Sequence, residues 1–201
     1  MNSNYFYEYV NLLERVFSYA HQNLYSYGMV EKKIAYCDFF QKIERYTDGF
    51  APIIEEVTLI KNIFDEDNPN IVDIPSFKEC MWAAESYLHI QQETRLTFEA
   101  IFLYMPIKKM YEYYPLFHEM DFSQIVDEFN DLYKNESVFS LLISRFNYSL
   151  KDIAQKANIS YESLFSYKQR RRDIQKISAD SACVLASLLK ARIETLIELK
   201  L

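Results

Sequence analysis

The chain has 201 residues, of which half are hydrophobic and 16% are aromatic, and its formal charge is −7. This aromatic content excludes an intrinsically disordered chain, which has too few large apolar side chains to form a core. Only two glycines and five prolines occur. A β-sandwich or β-barrel needs many turn residues, so the composition favours an all-α fold.

The first two predicted helices follow from apolar residues spaced three and four positions apart. The first pattern runs from Phe6 to Leu24, and we expect this helix to end near Gly28, because glycine is the usual residue after a helix C-terminus. The second pattern runs from Val30 through Cys37 to Ile43, and we expect it to close at the sequence TDG. Both patterns predict one buried face per helix.

Further helices are predicted in the next hundred residues. Ile53, Val57, Ile60 and Phe64 follow Pro52 at helical spacing, and proline suits a first-turn position. Residues 65–75 are rich in Asp, Asn and Pro and predict a loop. A helix is expected after Ser76, which either continues or breaks near QQET at residues 91–94. Another is expected from Asp121 to about Asn135.

The charged residues are divided unevenly along the chain. Residues 1–144 contain 11 Lys and Arg against 23 Asp and Glu, whereas residues 145–201 contain 11 against six. A sign change of this kind between segments indicates two functions. We therefore predict an acidic helical domain over residues 1–135 and a basic domain over residues 136–201.

The basic segment contains two short helical patterns joined by a tight turn. Ser149 and Ser160 stand where N-caps are needed, and Asp152 occupies the acidic position of a capping box. Asn158 lies at the turn, where a left-handed backbone conformation is expected, and asparagine tolerates that conformation better than most residues. The small Ala154 lets the two helices approach closely.

The stretch SLKDIAQKANISYESLFSYKQ, residues 149–169, resembles the helix-turn-helix of Xre/Cro-type repressors. The sequence that follows it, with LASLLK and IETLI, is similar to the remaining helices of the same family. The resemblance covers residues 137–201 and implies a five-helix, lambda-repressor-like domain at the C-terminus. Asn158 replaces the glycine that is usual at this turn. The family resemblance implies a bacterial or phage-type transcription regulator, in most cases a repressor.

The resemblance also implies which residues contact double-stranded DNA. In this family the second helix of the motif lies in the major groove and its outward residues contact base edges. The residues expected to face bases are Ser160, Tyr161, Glu162, Ser166 and Gln169, with Phe165 either on this face or buried. The residues expected to contact phosphates are Ser149, Lys168, Arg170, Arg171 and Arg172.

Other classes of site find little support in the sequence. The three cysteines, Cys37, Cys80 and Cys183, form no CxxC pair, so we expect core thiols rather than disulfides or a zinc site. No HExxH, GxxxxGK[ST], GxGxxG or GxSxG sequence occurs. We therefore expect no enzymatic activity, no catalytic residues, no cofactor and no bound metal.

The acidic domain is expected to bind another protein. The sequence MYEYYPLFHEM, residues 110–120, is too rich in aromatic residues to be wholly buried, and such surfaces are common at interfaces. A homodimer is expected because a palindromic operator requires two copies. Alternatively, residues 1–135 capture an effector or a partner protein, as in an antitoxin-like or inhibitor protein whose helix-turn-helix is autoregulatory. The first ten residues lack the basic region of a signal peptide, and no apolar run spans a bilayer, so a cytoplasmic location is expected.

Overall fold

The computed structural model describes residues 3–45, 54–66, 77–146 and 148–201. Throughout these ranges the regular structure is helical, and no strand occurs in them. The all-α prediction is therefore confirmed. None of the described helices is both long and apolar enough to cross a membrane.

The helices of the described ranges divide at residue 136, where the sequence predicts the domain boundary. Those before it are α1 (Ser3–Gln22), α2 (Tyr27–Tyr36), α3 (Asp38–Glu44), α4 (Glu56–Phe64), α5 (Lys78–Thr94), α6 (Phe98–Tyr104), α7 (Ile107–Phe117) and α8 (Phe122–Asn135). Those after it are α9 (Val138–Phe146), α10 (Leu150–Ala157), α11 (Tyr161–Lys168), α12 (Ala179–Leu188) and α13 (Ile193–Leu196), with a one-turn 3₁₀ helix at Ile174–Lys176.

The N-terminal core is built around the contact between α1 and α5. α1 contributes Leu13 and Phe17, and α5 contributes Ala84 and Tyr87, all of them buried. The alanine lets the two helix backbones approach, while the ring of Tyr87 packs edge-on against Phe17. Each large apolar side chain removed from water contributes about 1.5–3 kcal/mol, so this pairing accounts for much of the stability of the N-terminal part.

The first predicted helix ends earlier than the sequence suggests. α1 stops at Gln22, and Leu24 has a φ of 56° and an exposed fraction of 91%. The N–H of Leu24 donates to the carbonyl of His21, and the N–H of Tyr25 donates to that of Ala20. This is the Schellman arrangement, here with leucine in the left-handed position that glycine usually takes. Gly28 lies inside α2 instead, so the predicted end near Gly28 is wrong.

The second predicted helix is two helices. Cys37 has extended backbone angles, φ −72° and ψ 123°, and ends α2 directly before α3 begins. The pattern survives because Val30, Ile34 and Ile43 remain buried on both sides of this break. The expected closing sequence TDG lies outside the described residues.

The later helices agree better with the sequence. α4 is present, although Val57 is 45% exposed rather than inward-facing, and Pro52 and Ile53 lie outside the described residues. Of the loop predicted at residues 65–75, the structure describes only the first two residues. The break near QQET is confirmed, because α5 ends at Thr94 with Arg95 left-handed, φ 60°. Asp121 caps α8, with its side chain accepting from the N–H of Ser123.

The C-terminal helices pack directly on the N-terminal ones. α6 lies at the centre and contacts α2, α3, α5, α8 and α9, and the buried apolar side chains of both parts form one continuous cluster. A buried polar seam accompanies this contact. Arg192 donates to the carboxylate of Glu44 at 2.7 Å, and the hydroxyls of Thr97 and Thr195 are 2.7 Å apart.

Candidate nucleic-acid interface

The two helices α10 and α11 begin at the caps that the sequence predicts. Ser149 accepts a hydrogen bond from the N–H of Asp152 at 3.1 Å, and its hydroxyl donates to the Asp152 carboxylate at 2.6 Å. Ser160 accepts from the N–H of Ser163 at 3.2 Å. Each cap satisfies a backbone donor that has no partner within its helix, which is worth about 1 kcal/mol.

The turn between the helices is made by Asn158. Its angles, φ 53° and ψ 43°, are left-handed as predicted, and the N–H of Ile159 donates to the carbonyl of Ala154 across the turn. The inner faces bury Ile153 on α10 and Leu164 on α11. α10 packs against α11 and α12, while α9 packs against α11 and α13, so a small helical cluster holds α11 in place.

The predicted base-facing residues lie mostly on the open side of α11. Ser160, Tyr161, Glu162 and Gln169 are exposed, whereas Ser166 is half-buried and its hydroxyl donates to the carbonyl of Glu162. Four of the five side chains are therefore available to a partner molecule, and the fifth is engaged with its own helix.

Phe165, which the sequence leaves either buried or outward, is on the outer side. It is 36% exposed and stacks on Tyr161, 42% exposed, with ring centroids 6.1 Å apart. The guanidinium of Arg171 lies 5.7 Å from the centroid of the Phe165 ring. The open face of α11 therefore presents two stacked rings next to a cation.

The basic residues after α11 separate into two groups. Arg171 and Arg172 are exposed, and neither takes part in an ion pair with any residue that the structure describes. Arg172 lies over the ring of Tyr167 at 5.4 Å, and Lys168 is half-buried. Arg171 and Arg172 therefore keep their charge available to an external anion.

Arg170 is engaged within the protein. Its φ is 52°, which turns its side chain away from its two neighbours, and its guanidinium lies 2.9 Å from the Glu198 carboxylate and 4.3 Å from the centroid of the Tyr133 ring. The same guanidinium donates to the carbonyl of Tyr133. The expected phosphate contact of Arg170 thus competes with a contact that ties the end of α11 to α8 and the C-terminus.

Two further cations extend the basic surface. Lys151 and Lys156 on α10 are exposed, and the ammonium of Lys156 lies 4.9 Å from the centroid of the Tyr148 ring. Sequence reasoning did not select these lysines, although their signal was present as outward positions on a helix whose inner face was already assigned.

Other chemistry is sparse in the described ranges. No group of three or more His, Cys, Asp or Glu side chains there is arranged to hold a metal ion. All three cysteines are free thiols, with Cys80 buried and Cys37 half-buried, but Cys183 is exposed, so the expectation of a core thiol is wrong at that position. Burial raises the pKa of the Cys80 thiol, which keeps it protonated and unreactive.

Comparisons of the chain with protein-family models, with curated proteins and with solved structures found no significant match.

Proposed function

We propose that this protein is a sequence-specific DNA-binding transcription regulator, acting as a repressor, in which α11 enters the major groove of double-stranded DNA. The observation that carries the proposal is the capped α10–α11 pair. Its left-handed Asn158 sets the angle between the helices and leaves one face of α11 exposed beside two uncompensated arginines. This is the arrangement that helix-turn-helix proteins use to present side chains to base edges.

The exposed side chains of α11 suit base recognition. Gln169 can pair with adenine through two hydrogen bonds, and the Glu162 carboxylate can accept from the amino group of cytosine. The ring of Tyr161 suits contact with a thymine methyl group. Phosphate contacts are assigned to Ser149, Lys168, Arg171 and Arg172, while Arg170 is assigned to the contact with Glu198.

The acidic N-terminal helices orient the protein on DNA. Their negative charge repels the phosphate backbone, so the protein approaches with the basic end of the chain towards the duplex. We assign the protein to the cytoplasm, where such a regulator meets its DNA.

The proposal includes a homodimer on an inverted-repeat operator. Leu116 and Met120, at the connection between α7 and α8, are 63% and 52% exposed, which supplies apolar surface for a second copy. The same surface favours the second candidate function, capture of a partner protein by residues 1–135. Sedimentation of the isolated protein separates them, because a dimer at micromolar concentration supports the first and a monomer supports the second.

The test of DNA binding is the salt dependence of affinity. Fluorescence anisotropy with a labelled duplex pool, measured from low to moderate salt, gives log Kd against log salt for the wild type and for the double variant Arg171→Gln/Arg172→Gln. We expect weaker binding to all duplexes and a slope reduced by about 1.8, since each lost phosphate contact removes about 0.9. The control Lys108→Gln/Lys134→Gln makes the same charge change on exposed N-terminal residues and should leave the slope unaltered. Equal slopes for both variants would refute the proposed interface.

A further inference from the structure

A cleft of about 520 Å³ lies between the two parts of the chain. It is bordered by α2, α6 and α9 and by the turn between α12 and α13. Apolar side chains form much of its wall: Ala35, Phe102, Leu103, Pro106, Leu141 and Phe146. A cleft of this volume with apolar walls and a few polar groups is typical of a small-molecule site.

Three cations border the cleft, each from a different element. Lys32 is on α2, Arg145 is on α9 and Lys190 follows α12, and all three are exposed. None of them forms an ion pair with another residue in the described ranges. Arg145 lies beside an apolar ring, with its guanidinium 6.0 Å from the centroid of Phe146. The cleft therefore combines uncompensated positive charge with apolar surface.

The two carboxylates of the cleft are already engaged with the backbone. Glu31 accepts a hydrogen bond from the N–H of Ile107 at 2.7 Å. Glu99 accepts from the N–H of Arg192 at 2.9 Å and from the Tyr36 hydroxyl at 3.1 Å. Burial raises the pKa of the Glu31 carboxyl, which further reduces its negative charge near Arg145. These acids hold the walls together and leave the cations available to an anion from outside.

We propose that this cleft binds a small amphipathic organic anion, a carboxylate with an apolar tail, as the effector of the protein. The carboxylate pairs with Arg145, whose planar guanidinium suits two parallel hydrogen bonds, and with Lys190 and Lys32. The tail lies against Phe102 and Leu103. The charge of the cleft selects against alcohols and amines with the same tail, because neither supplies the negative charge that the three cations lack.

The position of the cleft links such a ligand to α11. Arg145 and Lys190 belong to the C-terminal helices, whereas Lys32 belongs to α2, so one anion contacts both parts of the chain. α9, which carries Arg145, packs against α11. An effect of the ligand on DNA affinity rests on the proposed function, but its binding does not.

The test uses 8-anilinonaphthalene-1-sulfonate, an amphipathic aromatic anion whose fluorescence rises in apolar surroundings. The full-length protein is titrated without DNA, and bound probe is then displaced with octanoate, octanol or octylamine. We expect saturable binding of one probe per chain, displaced by octanoate at concentrations at least about ten-fold lower than by the alcohol or the amine. The variant Arg145→Gln/Lys190→Gln should weaken probe binding by about ten-fold or more.

The control variant Lys151→Gln/Lys156→Gln removes the same charge from exposed positions on α10, outside the cleft, and should bind the probe within about two-fold of the wild type. Circular dichroism melting shows whether each variant is folded, and Leu103→Trp, which fills the cleft without changing charge, gives an independent loss of binding. Unchanged binding in both cleft variants, or equal displacement by the three competitors, would overturn the proposal. A failure of DNA binding would leave this result unaffected, because no DNA is present.

Discussion

The buried pair of Glu44 and Arg192 provides the sharpest stability prediction. The carboxylate and guanidinium are 2.7 Å apart, and their side chains are 0% and 6% exposed. The other carboxylate oxygen of Glu44 accepts from the N–H of Phe98 at 2.6 Å. Burial raises the pKa of Glu44, while Arg192 and this N–H favour its ionised form. The change Glu44→Gln retains an acceptor for Phe98 but leaves the Arg192 cation buried without a counter-charge.

Removing one partner of a buried ion pair costs about 3–5 kcal/mol, because the remaining charge stays out of water. At about 1.4 kcal/mol per factor of ten, this raises the unfolding equilibrium constant by roughly two to four orders of magnitude. Urea unfolding followed by circular dichroism measures the difference. We expect a single transition shifted to lower urea, because Arg192 lies in the α13 region and Glu44 lies in α3, and the pair joins the two parts of the chain.

The matched control is Arg45→Ala, which removes a neighbouring but exposed pair. Arg45 and Glu194 are 3.0 Å apart with side chains 54% and 29% exposed, and such pairs contribute about 0–1 kcal/mol. A loss for Glu44→Gln no larger than that for Arg45→Ala would refute the reasoning. It would mean that water reaches the seam between the N-terminal and C-terminal helices.

Three further predictions concern the turn, the tyrosines and the arginine cluster. Asn158→Gly should preserve or raise stability, whereas Asn158→Ala should lose about 1 kcal/mol because of the left-handed backbone, both measured by thermal unfolding. Burial, together with the charge of Glu99, raises the pKa of Tyr36 to about 12. The native state therefore holds this proton longer than the unfolded state, and stability should fall as pH rises from about 10 to 12, with a shallower fall in Tyr36→Phe. Arg170→Gln should lower the urea midpoint while leaving the salt slope of DNA affinity unchanged, since its charge is paired with Glu198; a slope reduced as in Arg171→Gln would contradict the assignment.

The local features of the C-terminal helices could be predicted from the sequence because each is decided by a few neighbouring residues. Ser149 and Ser160 are caps because their hydroxyls reach N–H groups only three residues away. Asn158 adopts a left-handed conformation for the same kind of local reason. Helix breaks without a typical signal were missed, since Leu24 takes a left-handed conformation and Cys37 an extended one without glycine or proline nearby.

Long-range contacts could not be predicted from a single sequence. The partner of Arg170 is Glu198, 28 residues later, and that of Arg192 is Glu44, 148 residues earlier. Nothing in the spacing of these residues indicates that they meet. For the same reason the cleft lined by Lys32, Arg145 and Lys190 gave no sequence signal, because three separate elements form it.

The central claim is that this protein recognises a DNA sequence through α11. Selection of full-length protein on a pool of random double-stranded DNA, at two salt concentrations, tests it most directly. The account predicts enrichment of an inverted repeat whose half-sites are about one helical turn apart, and a change at one base position per half-site for Gln169→Ala. Retention that falls with salt but enriches no motif, or a motif unchanged by Gln169→Ala and Glu162→Ala, would contradict it.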